Sequence, residues 1–232
     1  MRLCPALAFL LLLLPAWAQP NAAASSGEGT VTFRFVWNDG IPWQKYSIAV
    51  EPDGRTRFDG IPAPDENTSQ PDPFQQDFIM SDANRRTVAE LARKLDAFRG
   101  DYDSHLKKIA QTGSKTLEYR SATVQGSTTY NYSQNADVQQ LTHLFQGIAT
   151  TMDYGRRLAF QYRFDKLGMD QRLKELVELQ SRHDVEELGA IEPILRRIAA
   201  DPGMMRISRQ SAQQLLKSIG GTAVASQPPA QP

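Results

Sequence analysis

The sequence predicts an α+β fold: an antiparallel sheet of about five strands with packed helices, followed by a C-terminal helical hairpin region. Two observations lead there. Apolar residues alternate from Val31 to Trp37 and from Tyr46 to Val50, the period of strands with one buried face. After Asn135 the apolar spacing becomes that of helices and stays so for most of the remaining chain.

In chain order, the first strand carries Val31, Phe33, Phe35 and Trp37 on one side, with Thr32 and Arg34 on the other. Asn38, Asp39, Gly40 and Pro42 supply turn chemistry before the second strand, and Pro52-Asp53-Gly54 a tight turn before a third, Arg55 to Asp59, so the last two form a hairpin. Residues 60–77 hold Pro62, Pro64, Pro71 and Pro73 among polar residues and read as an exposed loop. Ser81 or Asp82 then caps a helix with Val88, Leu91, Leu95 and Phe98 on its buried face. A shorter helical stretch with Tyr102, Leu106 and Ile109 ends near Gly113. A second hairpin follows, with its turn at Gln125-Gly126.

Val138, Leu141, Ile148 and Met152 mark the next helix, with Gly147 and Gly155 as weak points. Residues 158–164 alternate apolar and polar but are read as helix, like their neighbours. Leu173, Leu176, Val177 and Leu179 give a further helix, and a pair of helices closes the chain.

That last pair resembles one HEAT-type helical repeat over about residues 187–219. Ala190, Ile191, Pro193, Ile194, Leu195 and Ile198 carry the likeness in the first helix. Asp201-Pro202-Gly203 form the turn, and Arg206, Ala212, Leu215, Leu216 and Ile219 match in the second helix. Stacked repeats need about three units, so the single copy is read as a hairpin closing the fold, with Pro193 kinking its first helix. The front half, a hairpin turning through Asp-Gly and followed by a helix, is similar to small secreted bacterial domains of unknown function. Neither resemblance implies an activity.

The chain ends are also informative. Arg2, the apolar run Leu7 to Leu14, Pro15 and the triplet Ala16-Trp17-Ala18 match a cleavable signal peptide over residues 1–18. The apolar run is shorter than the ~20 residues a transmembrane span needs, and the only Cys, Cys4, lies inside the leader. The expectation is a secreted or periplasmic protein with no membrane anchor after signal cleavage. Composition divides the mature part into a disordered linker (19–29), a sheet with inserted helices (30–134), a helical region packed on it (135–219) and a disordered tail (220–232).

Lys plus Arg number 26 and Asp plus Glu number 26, and this balance argues against a nucleic-acid partner. No Walker loop or G-x-G-x-x-G is present, and no cofactor is expected. The pairs Arg85-Arg86, Arg156-Arg157 and Arg196-Arg197 read as solvated helix faces. Asp101, Asp103 and His105 could ligate a divalent metal or form a general base with its orienting partner; the same residues also suit a capped helix start. Among the aromatic residues, Trp43, Tyr130 and Tyr132 are candidate contacts, Trp43 foremost because it lies in a turn. With no catalytic motif in the sequence, the expected function is a non-catalytic extracytoplasmic binding or interaction module with an envelope or extracellular protein partner. The alternative is an envelope hydrolase using carboxylates or a metal at Asp101, Asp103 and His105.

Overall fold

The computed structural model describes residues 29–37, 42–64 and 71–225. The expected signal peptide, linker residues 19–28, the Asn38-Asp39-Gly40 turn, the middle of the Pro-rich loop (65–70) and the tail from 226 lie outside them.

The fold is α+β, with six strands where the sequence predicts about five. They are β1 (Thr30–Val36), β2 (Trp43–Val50), β3 (Arg55–Pro62), β4 (Phe74–Ile79), β5 (Ser114–Arg120) and β6 (Gln125–Tyr130). Their order across the sheet is β4-β3-β2-β1-β5-β6, and every neighbouring pair is antiparallel. The additional strand, β4, falls where a loop was expected. Its pairing with β3, Phe58 opposite Gln76, overrides the loop signal of Pro71 and Pro73, because both prolines precede the strand.

Five α-helices complete the described chain: α1 (Asp82–Lys94), α2 (Ala136–Phe164), α3 (Met169–Ser181), α4 (Glu192–Ala200) and α5 (Arg206–Ala225). Residues 158–164 belong to α2, as expected. Three expectations are corrected. Residues 102–109 are not helical, because Asp101 and Asp103 take the backbone N–H groups of Asp103 and His105 and so compete with helix formation. Pro193 sits in the first turn of α4, where its missing N–H costs no hydrogen bond. And α5 continues through Gly220 and Gly221 to Ala225, beyond the predicted start of the tail.

The second hairpin also turns earlier than expected. Arg120 pairs with Gln125, so residues 121–124 form the turn, held by Ser121 Oγ, which accepts from the Val124 N–H at 3.0 Å. Gln125 and Gly126 are already strand.

One face of the sheet is buried, and it is the face the alternation marks. Phe33, Ile48, Phe58 and Leu117 are fully buried, and the Phe33 ring stacks on Phe145 of α2 at 5.0 Å. Val88 and Leu91 of α1 and Leu141 and Ile148 of α2 close this core. A second core, built around Leu158, Leu173, Leu176, Leu195 and Leu215, lies among the helices. Because α2 has 29 residues, it is about 43 Å long and serves both: its buried positions pass from the first core at Met152 to the second at Leu158. Gly155 lies at this handover and Gly147 about two turns before it. They are sites of close approach, where a Cβ would press on Glu186 and Ile191 respectively.

The segment between α3 and α4 ties the helices to the sheet. Thr151 Oγ1 donates to Glu186 O at 2.6 Å, and Gln76 of β4 donates to Ala190 O. Glu187, in a left-handed conformation at φ 56°, accepts from Ser81 N–H, Ser81 Oγ and Asn84 Nδ2 at the start of α1.

Candidate functional site

The residues singled out in the sequence fall into two separate places. Asp101, Asp103 and His105 lie on the irregular loop between α1 and β5, which is stitched to the chain just past β6. Asp103 Oδ2 accepts from Asn131 N–H at 2.8 Å, and Ser104 N–H donates to Tyr132 O at 2.8 Å. Tyr130 and Tyr132 are therefore at the same end of the sheet. Trp43 is elsewhere, against β3 and α2.

The side chains of Asp101, Asp103 and His105 are paired with one another and with backbone N–H groups. His105 Nε2 lies 2.8 Å from Asp101 Oδ2, and this hydrogen bond raises the imidazole above its ordinary pKa and lowers that of the Asp101 carboxyl. Backbone N–H donors from His105 and Asn131 hold the Asp103 carboxyl below the usual carboxylate range. The Asp101–His105 pair has the arrangement of an imidazole base and its orienting carboxylate, and both side chains stand open to solvent. Among the described residues, no group of three or more His, Cys, Asp or Glu is arranged to hold a metal ion. Asp101, Asp103 and His105 find their partners within the loop and at Asn131, and so shape this segment.

The aromatic candidates are corrected in part. Trp43 is 2 % exposed; the register irregularity between Trp43 and Lys45 lets it share the buried side with Tyr46. Its ring packs on Phe58 at 5.0 Å, and its Nε1 donates to Ala149 O in α2 at 3.0 Å. Tyr130 is likewise buried, with its hydroxyl 2.6 Å from Thr142 Oγ1. Tyr132 is exposed and accepts from Gln139 Nε2 at 3.2 Å. Beneath it, the Lys115 ammonium is buried without a carboxylate and donates to the carbonyls of Thr112, Gly113 and Asn131. Burial lowers its pKa.

A different surface stands out at the far end of the helical half. Phe160 and Phe164 project from α2, and Leu167 follows in the connection to α3; they are 59 %, 72 % and 81 % exposed. The two rings touch, with centroids 5.0 Å apart. Met205 and Ile207, at the turn into α5, are also exposed. The two segments meet through Lys166, whose ammonium lies 3.0 Å from Asp201 Oδ2 and 5.2 Å from the Tyr162 ring, which Arg197 also covers. Exposed Arg163 and Arg206 flank this apolar end without a carboxylate partner among the described residues.

No family model matches the chain, and a search of curated proteins finds no similar sequence. Among the described residues, no helix is long and apolar enough to cross a membrane.

The sequence reading passed over Phe160 and Phe164, although a signal for them existed. At about 100° per residue they lie roughly 100° and 140° from Leu141 around α2, well off the Leu141, Ile148, Met152 stripe. Large aromatic residues at that angle on an amphipathic helix point to solvent or to a partner.

Proposed function

We propose that this chain is an exported, non-catalytic extracytoplasmic protein that docks a protein partner on the apolar end formed by Phe160, Phe164 and Leu167. The observation that carries the reading is the exposure of Phe160 and Phe164, whose rings touch, with exposed Leu167 three residues further along the chain. Single exposed apolar residues are ordinary, whereas clustered ones mark interaction sites. Met205 and Ile207 widen the surface, and unpaired Arg163 and Arg206 give it a basic rim. The complementary partner surface is an apolar ridge flanked by carboxylates. The exposed setting of Asp101 and His105 favours this reading over the hydrolase, whose site would need enclosure.

The test is a photo-crosslinking residue placed at position 164, with one at position 57 on the open face of the sheet as control, in cells of the native source. The reading expects one adduct of defined mass from 164, absent from 57, whose yield falls severalfold when Arg163→Glu inverts the rim. No adduct from 164, or an adduct of twice the chain mass alone, contradicts it.

A further inference from the structure

A groove runs along the other helix, α1, where this helix crosses the end of the sheet. Its volume is about 460 Å³, within the range of small-molecule sites. The floor is aliphatic: Val31 and Val50 from the sheet, and Val88 and Ala92 from α1, all buried. Ala97, Tyr119 and Val124 complete the lining.

The wall at Asp96 and Ala97 is held in an unusual conformation. Asp96, Ala97 and Phe98 all have positive φ, at 49°, 53° and 62°, which costs roughly 1–3 kcal/mol at each non-glycine residue and persists only where packing enforces it. Here Phe98 is fully buried and the Ala97 carbonyl sits against Gly126 of β6, where a Cβ would collide with it. The sheet therefore fixes the wall.

The charges on the rim are unevenly satisfied. Every acid there has a partner: Glu51 accepts from Thr30 Oγ1 at 2.8 Å, Glu90 pairs with Lys94 at 3.1 Å, and Asp96 pairs with Arg99. Of the basic residues, Arg85 is bound to Pro52 O and Asp82, and Arg86 gives only its Nε, to Asp82 O. Arg93 has no partner among the described residues. Arg86 and Arg93 are seven residues apart, two turns, so both lie on the groove side of α1. Arg86 and Arg93 outweigh Glu51, whose Thr30 partner is neutral, so the net charge at the groove is positive, beside a floor of aliphatic side chains with Tyr119 as its one aromatic member.

We propose that this groove binds an amphipathic carboxylate, its aliphatic tail on Val31, Val50, Val88 and Ala92 and its head on Arg93, with Arg86 as the second cation. A guanidinium meets a carboxylate through two parallel hydrogen bonds, and the four aliphatic side chains of the floor offer dispersion and apolar burial, which suits an unbranched tail of medium length. This site is independent of the docking end on α2.

Isothermal titration of the mature protein with sodium decanoate tests it, with acetate and 1-decanol as probes of head and tail alone. Saturable binding of one decanoate per chain is expected, with acetate and decanol each at least about tenfold weaker. Arg93→Gln is expected to weaken decanoate by about 10-fold to 100-fold, the range for losing a charged hydrogen bond, and Arg93→Lys by less, both with unchanged melting temperature since Arg93 is exposed. Ala89→Trp, at the groove lip, is expected to abolish binding. Non-saturable uptake, equal affinity for decanol, or undiminished binding by Arg93→Gln overturns the proposal.

Discussion

Glu187 caps α1 from 106 residues away, its Oε1 lying 2.7 Å from Ser81 Oγ and 2.8 Å from Asn84 Nδ2. Ser81 is itself the N-cap, accepting from Asn84 N–H, so the carboxylate completes the capping network and binds the α3–α4 segment to the sheet half. Glu187→Ala removes a charged acceptor from three donors. A loss of about 1–3 kcal/mol in urea unfolding is expected, with Glu187→Gln losing less. An unchanged unfolding midpoint in both variants means the link is decorative.

Gly126 is required for contact and not for turning. Its Cβ position is occupied by the Ala97 carbonyl, so Gly126→Ala must push the left-handed turn away from β6. Destabilisation of about 1–3 kcal/mol follows from overpacking. Gly189, where an added Cβ would meet nothing within 4 Å, is the control, and Gly189→Ala is expected to be within about 0.5 kcal/mol of the parent.

The loop holding His105 has a defined pH window. The His105 pKa is raised from 6.5, so its contribution is fully present below 6.5 and is lost as pH rises through the higher folded value. The Asp101 and Asp103 values are lowered from 3.8, so theirs is present above 3.8 and lost as pH falls through the lower folded values. Amide exchange across residues 101–105 is therefore expected to be slowest, after correction for intrinsic rates, between about pH 4 and 6.5. In Asp101→Asn the imidazole returns toward 6.5 in an NMR titration; an identical titration curve in that variant contradicts the assignment.

Lys115 holds the ends of two strands together through carbonyl oxygens. Lys115→Met keeps the aliphatic stem but strands the acceptors of Thr112, Gly113 and Asn131. About 1–3 kcal/mol is expected to be lost, with faster exchange confined to residues 110–113 and 131. Uniform loosening across the sheet argues for a packing role instead.

The strands with one buried side were legible because Val31, Phe33 and Phe35 follow a strict period of two, and every one of them is buried. β4 was not, because Phe74, Gln76 and Phe78 form an edge whose inward positions are only half covered, which leaves a weak alternation behind two prolines. Trp43 was misjudged because a strand irregularity is a tertiary event with no local composition. Asp101, Asp103 and His105 do converge, as their spacing suggested, yet the backbone consumes them. Phe160 and Phe164 were visible in principle once residues 138–164 are laid on a single helix, and the glycines at 147 and 155 obscured that continuity. The groove along α1 depends on which acids find partners, and a linear sequence carries no such information.

The most direct measurement is native mass spectrometry of the mature chain purified gently from its own source, alone and as Phe160→Glu/Phe164→Glu, with bound-metal analysis on the same samples. The account expects the parent chain to carry a distinct protein partner at fixed stoichiometry, metal-free, and the double variant to be folded but alone. A stoichiometric divalent metal that is lost on Asp103→Ala or His105→Ala, or a partner retained undiminished by the double variant, contradicts it.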